Sequence, residues 1–191
     1  RAMGYGDPRT LGSGNPGATN VLRIAGEKAA ALTLAGDSLK GFLPLVFFAI
    51  LRRFFPAGVD DLTIILVGLG AFFGHLYPIF FELKGGKGVA TAFGVLLGWN
   101  PVVALLSVGI WGAVFWNTKI SSLSALTAAG FAAIATIFYA PLDYLRPAVF
   151  VMVGMLIYRH RSNIERLIKG EEIPFGQSKP LSDDDDDNDE D

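Results

Sequence analysis

Cysteine is absent from the 191 residues, which excludes disulfides and thiolate metal sites and leaves the redox compartment undetermined. Charge is scarce: 18% of residues are Asp, Glu, Lys or Arg against 51% apolar, and much of that charge sits in the last ten positions. A chain this poor in charge, with 15 Phe and several long apolar runs, is a membrane protein. The formal net charge of −2 misleads, because setting aside the eight carboxylates after Ser182 leaves +6. Residues 1–25 hold neither a secretory apolar region nor a membrane span, and the first residue is Arg1 rather than methionine, so a preceding segment is expected. No internal repeat is found. The length suits one helical bundle, with residues 1–175 as an integral membrane domain and 176–191 as a disordered acidic C-terminal tail.

Against this background one polar stretch stands out: residues 12–23, Gly-Ser-Gly-Asn-Pro-Gly-Ala-Thr-Asn-Val-Leu-Arg, a glycine-rich loop entering a helix. Its glycines allow a positive-φ backbone whose N–H groups converge, and Ser13, Asn15, Thr19 and Asn20 add neutral donors, a pattern suited to an anion. Arg23 supplies a planar charged fork matched to phosphate oxygens. Gly12, Gly14 and Gly17 satisfy the dinucleotide pattern G-x-G-x-x-G, with Asp37 about twenty residues on. No buried strand precedes them, however, since residues 1–11 are polar and contain Gly4, Gly6 and Pro8. The same stretch reads as a P-loop with Ala18 in the lysine position, so a bound phosphate must draw its lysine from elsewhere. Standing alone, it would be an ordinary turn before a helix.

Residues 29–51 form the first expected span, with Asp37 and Lys40 three apart on one face and paired with each other. Residues 62–81 form the second, interrupted only by Tyr77 and by His75, to which a packing role is assigned. Lys84-Gly85-Gly86-Lys87-Gly88 follows, a basic glycine loop able to supply the missing lysine; a snorkelling positive flank is the alternative. Residues 89–116 are uncharged, and Asn100-Pro101 divides them into a short and a longer helix, which puts all the polar motifs on one face. That division gathers most Lys and Arg on the same face and leaves Arg52, Arg53 and Arg146 opposite, as expected for a cytoplasmic side. Residues 120–139, rich in small side chains, make a packing helix, 141–146 turn the chain, and 147–158 cross last. A polar helix with Glu165, Arg166 and Lys169 runs on to a stop at Gly170 and carries His160 and Asn163 on one face. The fold class is all-α, a polytopic transmembrane bundle of about six spans.

Three motifs thus occur in order: the 12–23 loop; Gly74-His75 with Lys84-Gly-Gly-Lys-Gly-Val-Ala-Thr91; and Tyr158-Arg-His-Arg-x-Asn163-Ile with Gly170-x-Glu172. Over nearly the whole chain they resemble the PlsY-type bacterial acyl-phosphate:glycerol-3-phosphate acyltransferases. The resemblance implies transfer of a fatty acyl group from acyl phosphate to the 1-hydroxyl of sn-glycerol 3-phosphate. The products would be 1-acylglycerol 3-phosphate (lysophosphatidic acid) and inorganic phosphate, in an early step of phospholipid synthesis. It further implies catalytic positions at Ser13, Arg23, Lys87, His160 and Asn163, with Gly12, Gly14, Asn15, Gly17, Thr19, Asn20, Lys84, Gly85 and Gly86 binding substrate phosphate. The implied setting is the bacterial cell membrane with the site facing the cytoplasm, and one more transmembrane helix before the first motif. Its partners are the two small substrates and membrane lipid, with no nucleic acid, and neither cofactor nor metal is expected.

Acyl phosphate is an activated mixed anhydride, so alignment and charge stabilisation suffice and no covalent intermediate is required. His160 is the only side chain in the motif loops whose ordinary pKa lies near neutrality, which makes it the base candidate. A positioning role for His160, with substrate phosphate taking the proton, is the alternative. For Ser13, hydrogen bonding to phosphate is favoured over acylation, because no base lies beside it in sequence. His160 and Glu165 approximate the His-x-x-x-x-Asp of another acyltransferase class, whose folds lack this density of spans. The competing class is a membrane transporter of phosphorylated metabolites, which would place its site near the bilayer midplane rather than at one face.

Overall fold

Proline and glycine set most of the helix boundaries, and the apolar runs between them supply the spans. The computed structural model describes residues 6–139 and 144–177. Its helices are α1 (Ala18–Phe54), α2 (Asp61–Leu76), α3 (Val89–Trp99), α4 (Pro101–Thr118), α5 (Ser121–Tyr139), α6 (Leu145–Arg159) and α7 (Arg161–Lys169), with no strand among the described residues. Among the described residues four stretches are long and apolar enough to cross a membrane: α1, α2 with its extension to Phe81, α4 and α5. At about 1.5 Å per residue the 11-residue α3 is only half as long as a bilayer core requires. The loop before it folds back along α2, with Gly88 against the Phe72 ring.

Several boundaries differ from the sequence expectation. The first helix begins at Ala18, directly after the glycine loop as expected, and extends beyond the 29–51 span to Phe54; Gly26 (φ 78°, ψ −179°) interrupts it and sets off a short leading segment that carries Arg23. The second stops at Leu76 instead of running to 81: Pro78 has no N–H to donate and restrains Tyr77, and Ile79–Phe81 makes a single 3₁₀ turn. The helix expected as the last crossing starts at Leu145, two residues early, and with 15 residues is shorter than the four candidate spans. The division of 89–116 falls at Asn100-Pro101 as expected. Asn100 Oδ1 accepts from the Val103 N–H (3.1 Å), and Pro101, lacking a donor, opens α4. Half of the 141–146 turn (141–143) and the whole acidic tail at 182–191 lie outside the described residues.

The chain order brings all three motifs to one end of the bundle. At the other end Asn100 Nδ2 donates to the Tyr139 carbonyl (2.6 Å), Trp99 Nε1 donates to Ile64 (3.3 Å), and Arg52 pairs with Asp61 at 2.5 Å. α3 is central, packed against α1, α2, α4 and α6, over a core that includes Phe72, Leu76, Val95, Val103, Val149 and Met152. Lipid offers no hydrophobic drive between spans, so close backbone approach supplies the contact. α1 and α3 meet this way: a Cβ at Gly94 would lie 2.0 Å from the Ser38 carbonyl oxygen. The buried alanines of α5, from Ala125 to Ala135, serve the same purpose against α4 and α6. Asp37, on the inner side of α1, pairs at 3.0 Å with the exposed Lys40 as expected. His75 does more than fill space, since its Nδ1 lies 3.5 Å from Asp37 Oδ1.

Gly94→Val should therefore lower the unfolding midpoint in detergent sharply, by more than the roughly 1–3 kcal/mol of ordinary overpacking, because backbone must move. Gly130→Ala, with no atom within 4 Å of the new Cβ, should hold or raise it by about 0.5–1 kcal/mol. Equal midpoints for the two variants would contradict the close α1–α3 contact.

Candidate active site

The helix that follows α6 starts afresh at His160, whose φ of −98° and ψ of 8° turn the chain at the bundle end. The turn leaves His160 only 2% exposed, with Nδ1 2.8 Å from the Leu156 carbonyl. A carbonyl can only accept, so the proton sits on Nδ1 and the Nε2 lone pair is free. One turn on, Asn163 is buried between opposite charges: Lys87 donates to its Oδ1, and its Nδ2 donates to Glu172 Oε1 (2.5 Å). A flipped amide would set NH2 against ammonium and oxygen against carboxylate, so these two neighbours determine its orientation. Glu172 also accepts from the Ser122 hydroxyl (2.6 Å) and from Arg166 Nε (2.6 Å). From the preceding turn, Arg159 Nη2 donates to the carbonyls of Gly85 (2.7 Å) and Gly86 (3.0 Å), and its guanidinium stands 5.7 Å from the Tyr77 ring.

These contacts set the protonation states. Burial pushes the Lys87 ammonium down to about 8; Glu172 opposes the shift, and Arg166, Arg159 and Arg23 add to it. Burial likewise takes His160 down to about 4, against the Leu156 hydrogen bond and together with the charge of Lys87, so the imidazole is neutral at pH 7. Burial acts to raise the Glu172 carboxyl, but hydrogen bonds from Ser122, Asn163 and Arg166 outweigh it and hold the group below its ordinary value. Around Lys87, then, stand three arginines and one carboxylate, a field with surplus positive charge.

The first loop joins this cluster through Thr19, whose hydroxyl lies 3.0 Å from that of Ser121, the neighbour of Ser122. Its interior is not the open cradle expected. Asn20, 2% exposed, donates to the carbonyls of Pro8 (2.9 Å) and Leu11 (3.0 Å), and its oxygen accepts from the Ser13 N–H (2.9 Å). The Gly14 N–H is spent on Leu11. Asn20 thus shapes the loop, and the Ser13 and Gly14 amides face inward rather than toward a ligand. Gly12 and Gly14 do adopt positive φ, and Asn15 and Gly17 complete the turn into α1, whose N-terminus has no side-chain cap. The Ser13 and Arg23 side chains stay exposed; among the described residues Arg23 has no carboxylate partner, and no base bonds the Ser13 hydroxyl.

Lys84 stands apart from Lys87. It is exposed and pairs with Glu82 (2.8 Å) at a cleft of about 770 Å³, where Arg9 lies 4.6 Å from the Phe81 ring centre. A second, apolar groove runs between α3, α4, α5 and α6, lined by Val89, Phe93, Trp111, Ala128, Met152 and Leu156 among others. Val89 is two residues from Lys87, and Leu156 carries the carbonyl bonded to His160, so one end of the groove lies near the cation cluster. Of these two spaces the smaller one is nearer Lys87 and His160.

The family profile of glycerol-3-phosphate acyltransferases matches residues 1–170, the whole span that holds these contacts up to Gly170. The chain belongs to the glycerol-3-phosphate acyltransferase family. It is 47% identical over 178 residues to the member from Paraburkholderia phytofirmans, across 93% of this chain and 82% of that one. A Neisseria meningitidis serogroup C member is 47% identical over 176 residues, across 92% and 87%. The fold matches the crystal structure of PlsY (YgiH), an integral membrane glycerol 3-phosphate acyltransferase, in its glycerol 3-phosphate form: TM-score 0.83, 40% identity, 92% of this chain and 85% of that one. Its lysophosphatidic acid form gives 0.78 at 41%, across 86% and 81%. This chain is thus a PlsY-type, polytopic membrane member of the acyltransferase family.

Sequence reasoning missed Ser121, Ser122, Arg159 and Arg166, and quoted Glu172 without a role. Arg159 and Glu172 carried a signal, the one inside the third motif and the other as an acid two residues beyond a helix stop in a run of basic residues.

Because the folded imidazole titrates near 4 and the unfolded one near 6.5, the unfolded chain takes the proton first, and stability falls as pH drops through that window. The full loss from this group is about 3 kcal/mol. His160→Gln should flatten the stability profile between pH 6.5 and 4.5, above the ordinary range of Glu172. An unaltered slope in the variant, followed by denaturant unfolding in detergent, would contradict the buried neutral imidazole.

Proposed function

We propose that this chain moves a fatty acyl group from acyl phosphate to the 1-hydroxyl of sn-glycerol 3-phosphate, releasing 1-acylglycerol 3-phosphate and inorganic phosphate. One observation carries the reading: a cluster with surplus positive charge lies near one end of an apolar groove. An acyl phosphate has that shape, an anion on an apolar tail. Membership in the family and the likeness to PlsY, solved in glycerol 3-phosphate and lysophosphatidic acid forms, support the acceptor and product. The motif end, rich in Lys and Arg, is assigned to the cytoplasmic side of the bacterial cell membrane by charge asymmetry.

In this reading Lys87 and Arg23 hold the two phosphates side by side and offset their repulsion, helped by the uncapped start of α1 and the Ser13 hydroxyl. Asn163, oriented by Glu172, steadies the Lys87 ammonium. The acceptor hydroxyl oxygen attacks the acyl carbon, the bond from that carbon to the phosphate oxygen breaks, and phosphate leaves with the electron pair. The hydroxyl proton has two possible acceptors. An imidazole titrating near 4 is a weaker base than a phosphate, whose second ionisation lies near 6. His160 Nε2 therefore accepts a hydrogen bond from the hydroxyl and aims it, and the released phosphate keeps the proton.

Phosphate release by the purified protein in detergent, with long-chain acyl phosphate and glycerol 3-phosphate present, tests the reaction, with acyl-CoA as the control donor. Release that requires both substrates and yields lysophosphatidic acid supports it; equal turnover with acyl-CoA would overturn the donor assignment. Arg23→Ala and Lys87→Ala should each lower kcat/KM by about 100-fold or more while the protein still folds. Near-normal turnover in either would remove that residue from the phosphate clamp. His160→Gln should slow turnover yet keep the acid limb of the kcat profile, and disappearance of that limb would make the imidazole the base.

A further inference from the structure

The glycine loop that presents Lys87 is gripped from two sides, and only one grip belongs to the cluster already described. On the bundle-end side Arg159 binds the Gly85 and Gly86 carbonyls. On the membrane side the loop lies directly on the end of α2: a Cβ at Gly85 would be 2.0 Å from the His75 carbonyl oxygen, and one at Gly86 would be 2.4 Å from His75 Nε2. The same imidazole faces inward through Nδ1, 3.5 Å from Asp37 Oδ1, and both side chains are about 10% exposed. Asp37 is in turn held by Lys40 at 3.0 Å. An ionisable pair inside a span is costly and is kept only where it has a task. Here the pair joins α1 and α2 to the very peptide that Arg159 holds from above.

We propose that His75, backed by Asp37, is a positioning residue that seats the glycine loop from the membrane side and so sets where the Lys87 ammonium meets phosphate. The seat acts through the loop, and His75 touches no reacting atom. This inference rests on the acyl-transfer reading only for its kinetic arm. The phosphate of glycerol 3-phosphate carries its charge before and during the transfer, so a displaced Lys87 holds it less well in ground state and transition state alike, which raises KM and spares kcat.

The test compares wild type, His75→Ala, His75→Gln and Asp37→Asn in detergent, by amide hydrogen exchange and by steady-state kinetics. His75→Ala should speed exchange in the peptide spanning 84–88 by about tenfold while α4 and α5 keep their protection. It should also raise KM for glycerol 3-phosphate about tenfold, with kcat within about threefold. His75→Gln, which keeps a polar side chain against the loop, should restore most of both effects, and Asp37→Asn should fall between. Unchanged loop exchange in His75→Ala overturns the proposal. So does protection lost equally across α4 and α5, which marks a core residue, or a fall in kcat at constant KM, which marks direct chemistry. If wild type itself fails to transfer acyl groups, the proposed reaction falls, and the exchange arm alone still decides the seat.

Discussion

The carboxylate of Glu172 is the contact on which the polar end of the molecule depends. It accepts hydrogen bonds from α5 through Ser122 and from α7 through Asn163 and Arg166, so one part-buried anion ties together two helices and the segment after Gly170. It also orients the Asn163 amide, which in turn holds Lys87. Without it, Lys87 would face Arg23, Arg159 and Arg166 with no opposing charge, a repulsive set at a low-dielectric boundary. The carboxylate balances part of that field, and the part left over is what a phosphate can meet.

The rest of the fold serves to bring the partners of this carboxylate to one level. Close backbone contact between α1 and α3 fixes the height at which α3 begins, and Lys87 lies just ahead of that point. Pro78 ends α2 early, which frees the chain to fold back as a loop along α2 instead of continuing outward as helix. His160 then breaks the last crossing where Arg159 can reach the loop carbonyls.

Much of this was legible because its causes are local. Apolar run lengths gave the spans, Asn100-Pro101 carried both a cap and a donorless first residue, and the shared face of the motifs followed from dividing 89–116 there. The Asp37–Lys40 pair was readable from helical spacing. What stayed hidden depends on contacts between distant segments. Asn20 looked like a ligand donor because its use by Pro8, Leu11 and Ser13 is a matter of loop closure. Ser122 is an ordinary residue in sequence and Arg159 one more arginine of the third motif, and only packing sets them against Glu172 and the glycine loop. Lys84 and Lys87 are alike in sequence, yet one is exposed on Glu82 and the other half-buried on Asn163, because the loop turns its two lysines to different sides.

The apolar groove has one further consequence. Val108 lines it and is 44% exposed, so the groove reaches the outer wall of the bundle, where the solvent is hydrocarbon. An occupant arriving there comes by lateral diffusion within one leaflet and never crosses water. Its effective concentration is then a surface density, a mole fraction among lipids, and diluting the bilayer with inert lipid lowers occupancy even when the amount per litre is constant.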